Sequence, residues 1–160
     1  MKILIIYYSR TGRTRKVAER LAALLKADLE PLIESGARRG FWGYLRAGRD
    51  AILKRPSTLK PLTHTPADYD LILLGTPIWA FTLCPAVRTF LEQYAPSIRR
   101  AALFCTHGGG GPARAPAEAE SILAAPLAVP VLALQDRLVD RGSADLEISR
   151  FADAVLALPS

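Results

Sequence analysis

The sequence predicts an α/β fold in which helices cover both faces of a parallel sheet. The segment Lys2–Tyr8 is an apolar run rich in β-branched residues and too short for a helix, which is typical of a buried parallel strand. In the stretch that follows, apolar residues recur at helical spacing, namely Val17, Leu21, Leu24 and Leu25. Strand-like and helical segments then alternate along the chain, which favours βαβ crossovers and a doubly wound sheet.

The predicted elements follow one another with a single insertion. After a strand at 2–8 and a helix at 13–26, we expect a short strand at about 28–32 and a basic, aromatic-rich insertion at about 36–60. Further on, the pattern predicts a strand at 69–75, a helix at about 84–94, a strand at 100–105, a helix at 113–124, a strand at 129–134 and a final helix at 143–157. Within the insertion, residues 40–54 fit an amphipathic helix, and the prolines of 56–66 indicate irregular structure.

Length and composition indicate one domain spanning 1–160, because the chain has 160 residues and half of them are hydrophobic. The apolar run Ile3–Ile6 is too short for a secretory signal peptide. The run Ile122–Leu134 contains two prolines and is too short to span a bilayer. Cys84 and Cys105 are the only cysteines, which disfavours a disulfide scaffold and favours a cytoplasmic protein.

The net charge of +6 is concentrated in the insertion. Between Gly36 and Lys60, seven basic residues accompany a single acid, Asp50, so this segment alone accounts for the whole excess. A basic segment with interleaved aromatics is one way to bind nucleic acid or an anionic membrane surface. Apolar side chains packed on the domain, with the bases in water, explain the same pattern and are favoured here, so nucleic acid is not the expected partner.

The loop between the first strand and the first helix has the composition of a phosphate site. Its residues are Ser9, Arg10, Thr11, Gly12, Arg13 and Thr14. Unpaired N–H groups and the positive end of the helix dipole meet three hydroxyl groups there. Gly12 lets the backbone approach an anion closely, and Arg10 and Arg13 add positive charge. The alternative is an ordinary strand–loop–helix connection with a threonine N-cap.

From Ile5 to Leu21 the chain resembles the flavodoxin signature. The matching positions include Tyr7, Ser9, Gly12, Thr14, Ala18 and Leu21. The resemblance implies a flavodoxin-like, doubly wound sheet of five parallel strands in the order 2-1-3-4-5, with helices on both faces. It also implies that the first loop wraps the phosphate of one noncovalently bound flavin mononucleotide (FMN), beyond the carboxyl ends of the strands.

The segment after the strand at 69–75 resembles the second flavin-binding loop of that family. In the strand order given above, its end lies beside the end of the first strand. An isoalloxazine ring needs apolar or aromatic surface together with backbone groups for its polar edge. We therefore expect this loop to frame the ring through Thr76, Pro77, Ile78 and Trp79. The alternative is that Trp79 caps the core beneath a crossover loop.

The third loop follows the strand that ends at Cys105 and contains four consecutive glycines. Such a run has a high folding entropy cost, which indicates that the backbone passes close to another group. The resemblance places the third flavin contact here, at Thr106, His107, Gly108 and Gly109. Many electron-carrier flavodoxins have a tyrosine in this loop, so its absence predicts an open flavin face. His107 either contacts the flavin or is solvated at a flexible tip.

Other chemistries of similar folds lack their residues in this sequence. The first strand ends without the acidic residues that hold magnesium in phosphoacceptor receivers. Neither Cys84 nor Cys105 is followed six residues later by the arginine of low-molecular-weight tyrosine phosphatases. The cysteines and histidines lack metal-ligand spacing, and no Walker A or GxGxxG loop occurs, so we expect no metal and no Rossmann dinucleotide site.

These motifs predict an FMN-binding redox protein whose flavin carries the chemistry, with no catalytic side chain evident. The first candidate role is electron transfer to a redox partner protein. The second is NAD(P)H-dependent reduction of quinones or similar small acceptors, which the positive charge and the open third loop favour. A weaker third is a regulatory or interaction role through the insertion. No acidic residue occurs in the three loops, so we expect a cationic site that stabilises the fully reduced flavin.

Overall fold

The computed structural model describes residues 1–35 and 57–159, which form six strands and five α-helices. The strands are β1 (Ile3–Tyr7), β2 (Asp28–Pro31), β3 (Leu71–Trp79), β4 (Thr82–Leu83), β5 (Ala101–His107) and β6 (Leu132–Gln135). The helices are α1 (Arg13–Leu25), α2 (Pro85–Tyr94), α3 (Ala115–Leu123), α4 (Asp136–Arg141) and α5 (Asp145–Leu156).

Five strands run parallel in the order β2-β1-β3-β5-β6. Numbered among themselves these strands have the order 2-1-3-4-5, so the predicted fold class is confirmed. β4 lies off this path and pairs antiparallel with the end of β3. The segment Pro77–Trp79, expected in a loop, instead continues β3, because Pro77 pairs with Thr106 of β5 while Ile78 and Trp79 pair with β4.

Helices cover both faces of the sheet, and each face has its own core. Side chains of β1 alternate between them, with Ile5 in the core under α1, α4 and α5 and with Leu4 and Ile6 in the core under α2 and α3. All five residues of β1 are buried, which is why its sequence is continuously apolar rather than alternating. This layering leaves the carboxyl ends of the strands as the edge where loops meet.

Two further differences from the predicted elements concern that edge. β5 extends to His107, so Thr106 and His107 belong to a strand rather than to a loop. The helix α4, absent from the prediction, begins immediately after β6. Gly142, with a φ of 68°, ends α4 in the left-handed conformation and separates it from the final helix, which therefore begins at Asp145.

The two ends of the basic insertion run side by side. Glu34 and Leu59 form an antiparallel bridge, and the Ser35 N–H donates to the Thr58 carbonyl at 2.7 Å. Residues 36–56 lie outside the described part of the chain, and so does the amphipathic helix predicted at 40–54. Among the helices that the structure does describe, none is long and apolar enough to cross a membrane.

Candidate functional site

A cleft of about 450 Å³ opens where β1, β3 and β5 end. Its lining residues are Arg10, Thr11, Arg13, Thr14, Pro77, Ile78, Trp79, Thr106, His107, Gly108 and Asp136. All but Asp136 are predicted site residues, so the fold brings the three predicted loops together. The volume falls within the roughly 300–1,000 Å³ of small-molecule sites, and the strand ends are where parallel α/β sheets bind ligands.

At one end of the cleft, the α1 end (Ser9–Thr14), the backbone offers unused donors. Gly12 is the N-cap of α1, with a φ of 89° that favours glycine, and no side chain caps the helix. The Lys16 N–H makes the first bond of the helix, to the Gly12 carbonyl at 3.0 Å. The N–H groups of Arg13 and Thr14 therefore have no acceptor within the helix. A Cβ on Gly12 would meet nothing within 4 Å, so the loop borders open space that suits an anion.

The hydroxyl groups of this loop also form hydrogen bonds with other groups of the protein. Ser9 Oγ accepts the Arg15 N–H at 3.2 Å, which leaves the Ser9 hydroxyl hydrogen for another acceptor. Thr14 Oγ1 lies 3.0 Å from Thr106 Oγ1 in a buried contact that joins the first and third loops. One hydrogen serves this contact, so the second hydroxyl hydrogen of the pair is available to a ligand. Ser9 and Gly12 belong to the loop without lining the cleft, whereas Thr11 is exposed and lines it.

Two aspartates of α4 hold Arg13. Its Nε lies 2.9 and 3.0 Å from the two Asp140 carboxylate oxygens, and its Nη2 lies 2.8 Å from one of them. Its Nη1 reaches Asp136 at 3.4 Å. The hydrogen bond from Arg13 holds the pKa of Asp140 below its ordinary value. The expected cationic surplus at the α1 end is therefore compensated, which corrects the picture of a site free of acidic groups.

Asp136 is the cleft residue that the sequence interpretation missed. It directly follows β6 and begins α4, a helix that the hydrophobic pattern did not reveal. The available signal was an acidic residue at the end of the last strand, because that end shares the ligand-binding edge of the sheet.

At the other end of the cleft, the hairpin end (Pro77–Phe81 and His107–Gly111), Trp79 lines the cleft and also packs on the core. Its ring meets Tyr8 edge-to-face, with centroids 5.7 Å apart and planes at 86°. The Tyr8 hydroxyl donates to Glu34 at 3.0 Å, and burial together with this carboxylate raises the pKa of Tyr8. Ser57 donates to the other Glu34 oxygen at 2.5 Å. Contacts with Glu34, just before the insertion, and Ser57, near its end, thus orient Trp79 through Tyr8.

The turn between β3 and β4 is strained. Ala80 and Phe81 have φ values of 50° and 65°. These values lie in the left-handed region, which is common for glycine and asparagine and rare for other residues. Conformations of this kind cost on the order of 1–3 kcal/mol each and persist where the surroundings impose them. Here the Phe81 ring lies against Gly110, where a Cβ would come within 2.5 Å of it. The Phe81 carbonyl also accepts the Arg114 N–H at 3.0 Å.

A buried ion pair fastens this hairpin to α2 and α3. Arg88 Nε lies 2.6 Å from Glu118 Oε1, and the two side chains are 3% and 12% exposed. The second Glu118 oxygen accepts the Thr82 hydroxyl and the Leu83 N–H, while Arg88 Nη2 donates to the Leu83 carbonyl at 3.1 Å. Burial acts to raise the pKa of Glu118, but hydrogen bonds from Arg88 and Thr82 outweigh it and hold this pKa below its ordinary value.

The third loop is closed on His107, which is buried rather than solvated at 8% exposure. The Gly111 N–H donates to His107 Nδ1 at 3.3 Å. Gly109 and Gly111 have φ values of 155° and 70°, which favour glycine. Gly110 provides the space for the Phe81 ring. Backbone conformation and packing within the protein therefore explain the glycine run, and the group that the backbone approaches there is the Phe81 ring.

Besides Ser9 and Gly12, two more predicted residues do not line the cleft, Thr76 and Gly109. Thr76 is buried, donates to the Pro77 carbonyl at 2.9 Å and accepts the Cys84 N–H at 3.3 Å. Burial raises the pKa of Cys84 to about 11 and that of Cys105 to about 12, so neither thiol is a nucleophile near neutral pH. In residues 1–35 and 57–159, no group of three or more His, Cys, Asp or Glu side chains is arranged to hold a metal.

The cleft thus combines an end rich in N–H and hydroxyl donors with an end that carries an aromatic ring and apolar surface. This donor set fits a planar heteroaromatic ligand with a phosphate tail. The family model for flavodoxin matches residues 47–131, which is more than half of the 160-residue chain and includes the second and third loops. The chain belongs to the flavodoxin family. A search of the curated proteins finds no match.

Solved structures share this fold. A flavoprotein from Lactobacillus acidophilus NCFM, in complex with FMN, is 26% identical, with 88% of this chain and 97% of that chain covered and a TM-score of 0.69. A protein from Bacteroides uniformis ATCC 8492 is 19% identical, with coverages of 95% and 97% and a TM-score of 0.76. Oxidised flavodoxin 2 from Bacillus cereus is 19% identical, with coverages of 96% and 97% and a TM-score of 0.57.

Proposed function

We propose that this chain binds one FMN noncovalently in the cleft and acts as an electron-transfer protein. The observation that carries the proposal is the convergence of three loops, distant in sequence, on one cleft whose two ends match the two ends of FMN. Membership of the flavodoxin family and the FMN-containing relative support the same cofactor.

The α1 end holds the phosphate. The N–H groups of Arg13 and Thr14 and the hydroxyls of Ser9 and Thr11 donate to its oxygens, and the dipole of α1 favours its charge. The Arg13 guanidinium is shared with two carboxylates, so backbone and hydroxyl donors contribute more to this end than net positive charge does. Arg10 lines the same end and completes the donor set.

The hairpin end frames the isoalloxazine ring. Pro77, Ile78 and Trp79 supply apolar and aromatic surface, and His107 supplies a polar group at the end of β5. When bound, FMN supplies the redox chemistry, since a flavin accepts one or two electrons. The protein contributes orientation, and the 55%-exposed Phe81 next to the hairpin end offers apolar surface to a redox partner protein.

Titration with FMN and with riboflavin tests this function, with flavin fluorescence as the measurement. Riboflavin lacks the phosphate, and hydrogen bonds to a charged group contribute about 1.5–3 kcal/mol each, so riboflavin should bind at least about tenfold more weakly. Equal affinity for the two flavins would contradict the assignment of the α1 end.

A second candidate is an NAD(P)H-dependent reductase, and one observation favours it. Besides His107, Trp79 is the only aromatic residue among those that line the cleft within the described chain, so one face of the ring is accessible to a nicotinamide. Anaerobic mixing of the FMN-loaded protein with NADPH or NADH separates the two roles. Rapid loss of flavin absorbance with either donor identifies a reductase, and reduction only by a protein or chemical electron donor identifies the electron carrier.

A further inference from the structure

His107 is held in one orientation and one tautomeric state by the backbone of its own loop. It lies at the end of β5 and is 8% exposed. The Gly111 N–H donates to its Nδ1 at 3.3 Å. A ring nitrogen that accepts an N–H carries no proton, so the neutral imidazole has its proton on Nε2. The hydrogen bond with Gly111 therefore assigns the tautomer.

The Nε2–H group of this ring is the donor that remains for a ligand, because Nδ1 already accepts the Gly111 N–H. Within residues 1–35 and 57–159, Gly111 is the sole hydrogen-bond partner of the His107 ring. Nε2 is accessible to solvent, because the polar side-chain atoms that are buried without a partner do not include it. His107 is also one of the residues that line the cleft. A buried ring fixed at one nitrogen presents the other as an oriented donor.

Strand geometry places this donor at the hairpin end. Thr106 and His107 are successive residues of β5, so their side chains point to opposite faces of the sheet. Thr106 points toward α1, because its hydroxyl lies 3.0 Å from that of Thr14. His107 therefore lies on the other face, where Ile78 and Trp79 pack against the second core. This is the end proposed for the isoalloxazine ring rather than for the phosphate.

We propose that His107 donates its Nε2–H to a carbonyl oxygen of the flavin and thereby binds reduced FMN more tightly than oxidised FMN. This inference rests on the FMN function proposed above. Reduction adds electron density to the acceptor edge of the ring, and hydrogen bonds to a charged acceptor are roughly twice as strong as those to a neutral one. His107 thus sets the flavin potential, a role that the compensated charge of Arg13 cannot fill alone.

Two substitutions test the roles of the two ring nitrogens separately. His107→Asn keeps an acceptor for the Gly111 N–H near the position of Nδ1 but has no donor at the position of Nε2. His107→Gln keeps a donor near the position of Nε2. The midpoint potential of the bound flavin relative to free FMN gives the ratio of affinities for the reduced and oxidised forms. We expect His107→Asn to lower the relative affinity for reduced FMN about tenfold and His107→Gln to stay close to the wild-type ratio.

Nitrogen-15 NMR of the neutral ring in the FMN-free wild-type protein tests the tautomer without any variant. The expected result is a protonated Nε2 whose resonance shifts when FMN is added. A protonated Nδ1, or equal effects of both substitutions on the affinity ratio, would overturn the inference, because His107 would then only close its loop. A wild-type protein that does not bind FMN contradicts the proposed function instead, whereas FMN binding with an unchanged ratio in His107→Asn contradicts only the role of His107.

Discussion

The two ends of the cleft are built in different ways. The α1 end is a run of consecutive residues, Ser9–Thr14, whose donors follow from the start of a helix after a buried strand. The hairpin end is assembled from β3, β4, β5 and the glycine loop, and its turn is held in the left-handed region by contacts from outside the turn. A local motif forms one end, and tertiary support forms the other.

This difference predicts where each end is sensitive. Substitutions in Ser9–Thr14 should change ligand affinity and leave the fold intact, because every residue of this loop except the buried Thr14 is exposed or half-buried. Substitutions that support the hairpin should change stability first, because the hairpin depends on the buried Arg88–Glu118 pair.

The largest effect is expected from Glu118→Gln. Removing one partner of a buried ion pair leaves the other charge uncompensated, which costs about 3–5 kcal/mol. The matched control is Glu19→Gln, because the Arg15–Glu19 pair is exposed, at 64% and 48%, and pairs of that kind contribute about 0–1 kcal/mol. Urea denaturation of the two variants measures the difference, and equal losses in free energy of unfolding would contradict the dependence of the hairpin on this pair.

The same pair makes stability fall in acid. The pKa of Glu118 is lower in the folded protein than in the unfolded chain, so its contribution is fully present above the unfolded pKa and disappears as the pH falls through the folded value. The free energy of unfolding of the wild type should therefore drop more steeply below about pH 4 than that of Glu118→Gln. Parallel curves for the two proteins would show that Glu118 does not contribute to the acid transition.

The next effect concerns the α1 end. Ser9→Ala and Thr14→Ala each remove a hydroxyl, and hydrogen bonds to a charged group contribute about 1.5–3 kcal/mol, so FMN should bind roughly ten- to a hundredfold more weakly. Riboflavin affinity should barely change, and the exposed Thr65→Ala serves as the control. A parallel loss of affinity for riboflavin would show that these hydroxyls support the loop rather than the phosphate.

A smaller effect is expected from Trp79→Ala at the hairpin end. Loss of an aromatic contact costs about 0.5–1.5 kcal/mol beyond area burial, so FMN should bind up to about tenfold more weakly, with an altered flavin absorption band. In a Trp42→Phe background, Trp79 is the only tryptophan and FMN should quench its emission. Unchanged affinity, spectrum and emission would assign Trp79 to the core alone.

The smallest effect is a stabilisation by Ala80→Gly. Glycine adopts the left-handed conformation without the penalty that alanine incurs. This gain exceeds the cost of glycine's larger entropy in the unfolded chain by about 0.5–1 kcal/mol. Ala23→Gly, on the exposed face of α1, should instead destabilise the protein by about 1 kcal/mol. Thermal unfolding of both variants gives the two signs, and destabilisation by Ala80→Gly would show that the turn is not strained.

Local patterns in the sequence predict the strands and the residues of the three loops, and the resemblance to the flavodoxin signature supplies the strand order. A buried strand, a glycine at the helix start and hydroxyls around it are all within the span Ile3–Thr14. Extended runs and helical periodicity then define the remaining parallel strands, and the order of a doubly wound sheet places their ends together.

The contacts of the charged groups and rings in the cleft depend instead on the tertiary structure. Arg13 meets Asp140 across 127 positions, and no local pattern reveals that its charge is compensated. The β3–β4 hairpin was missed because Ala80 and Phe81 lack the glycine or asparagine that marks such turns, and packing of Phe81 on Gly110 imposes the conformation instead. Partners that are remote in sequence fix these features, whereas composition and periodicity report only on neighbours.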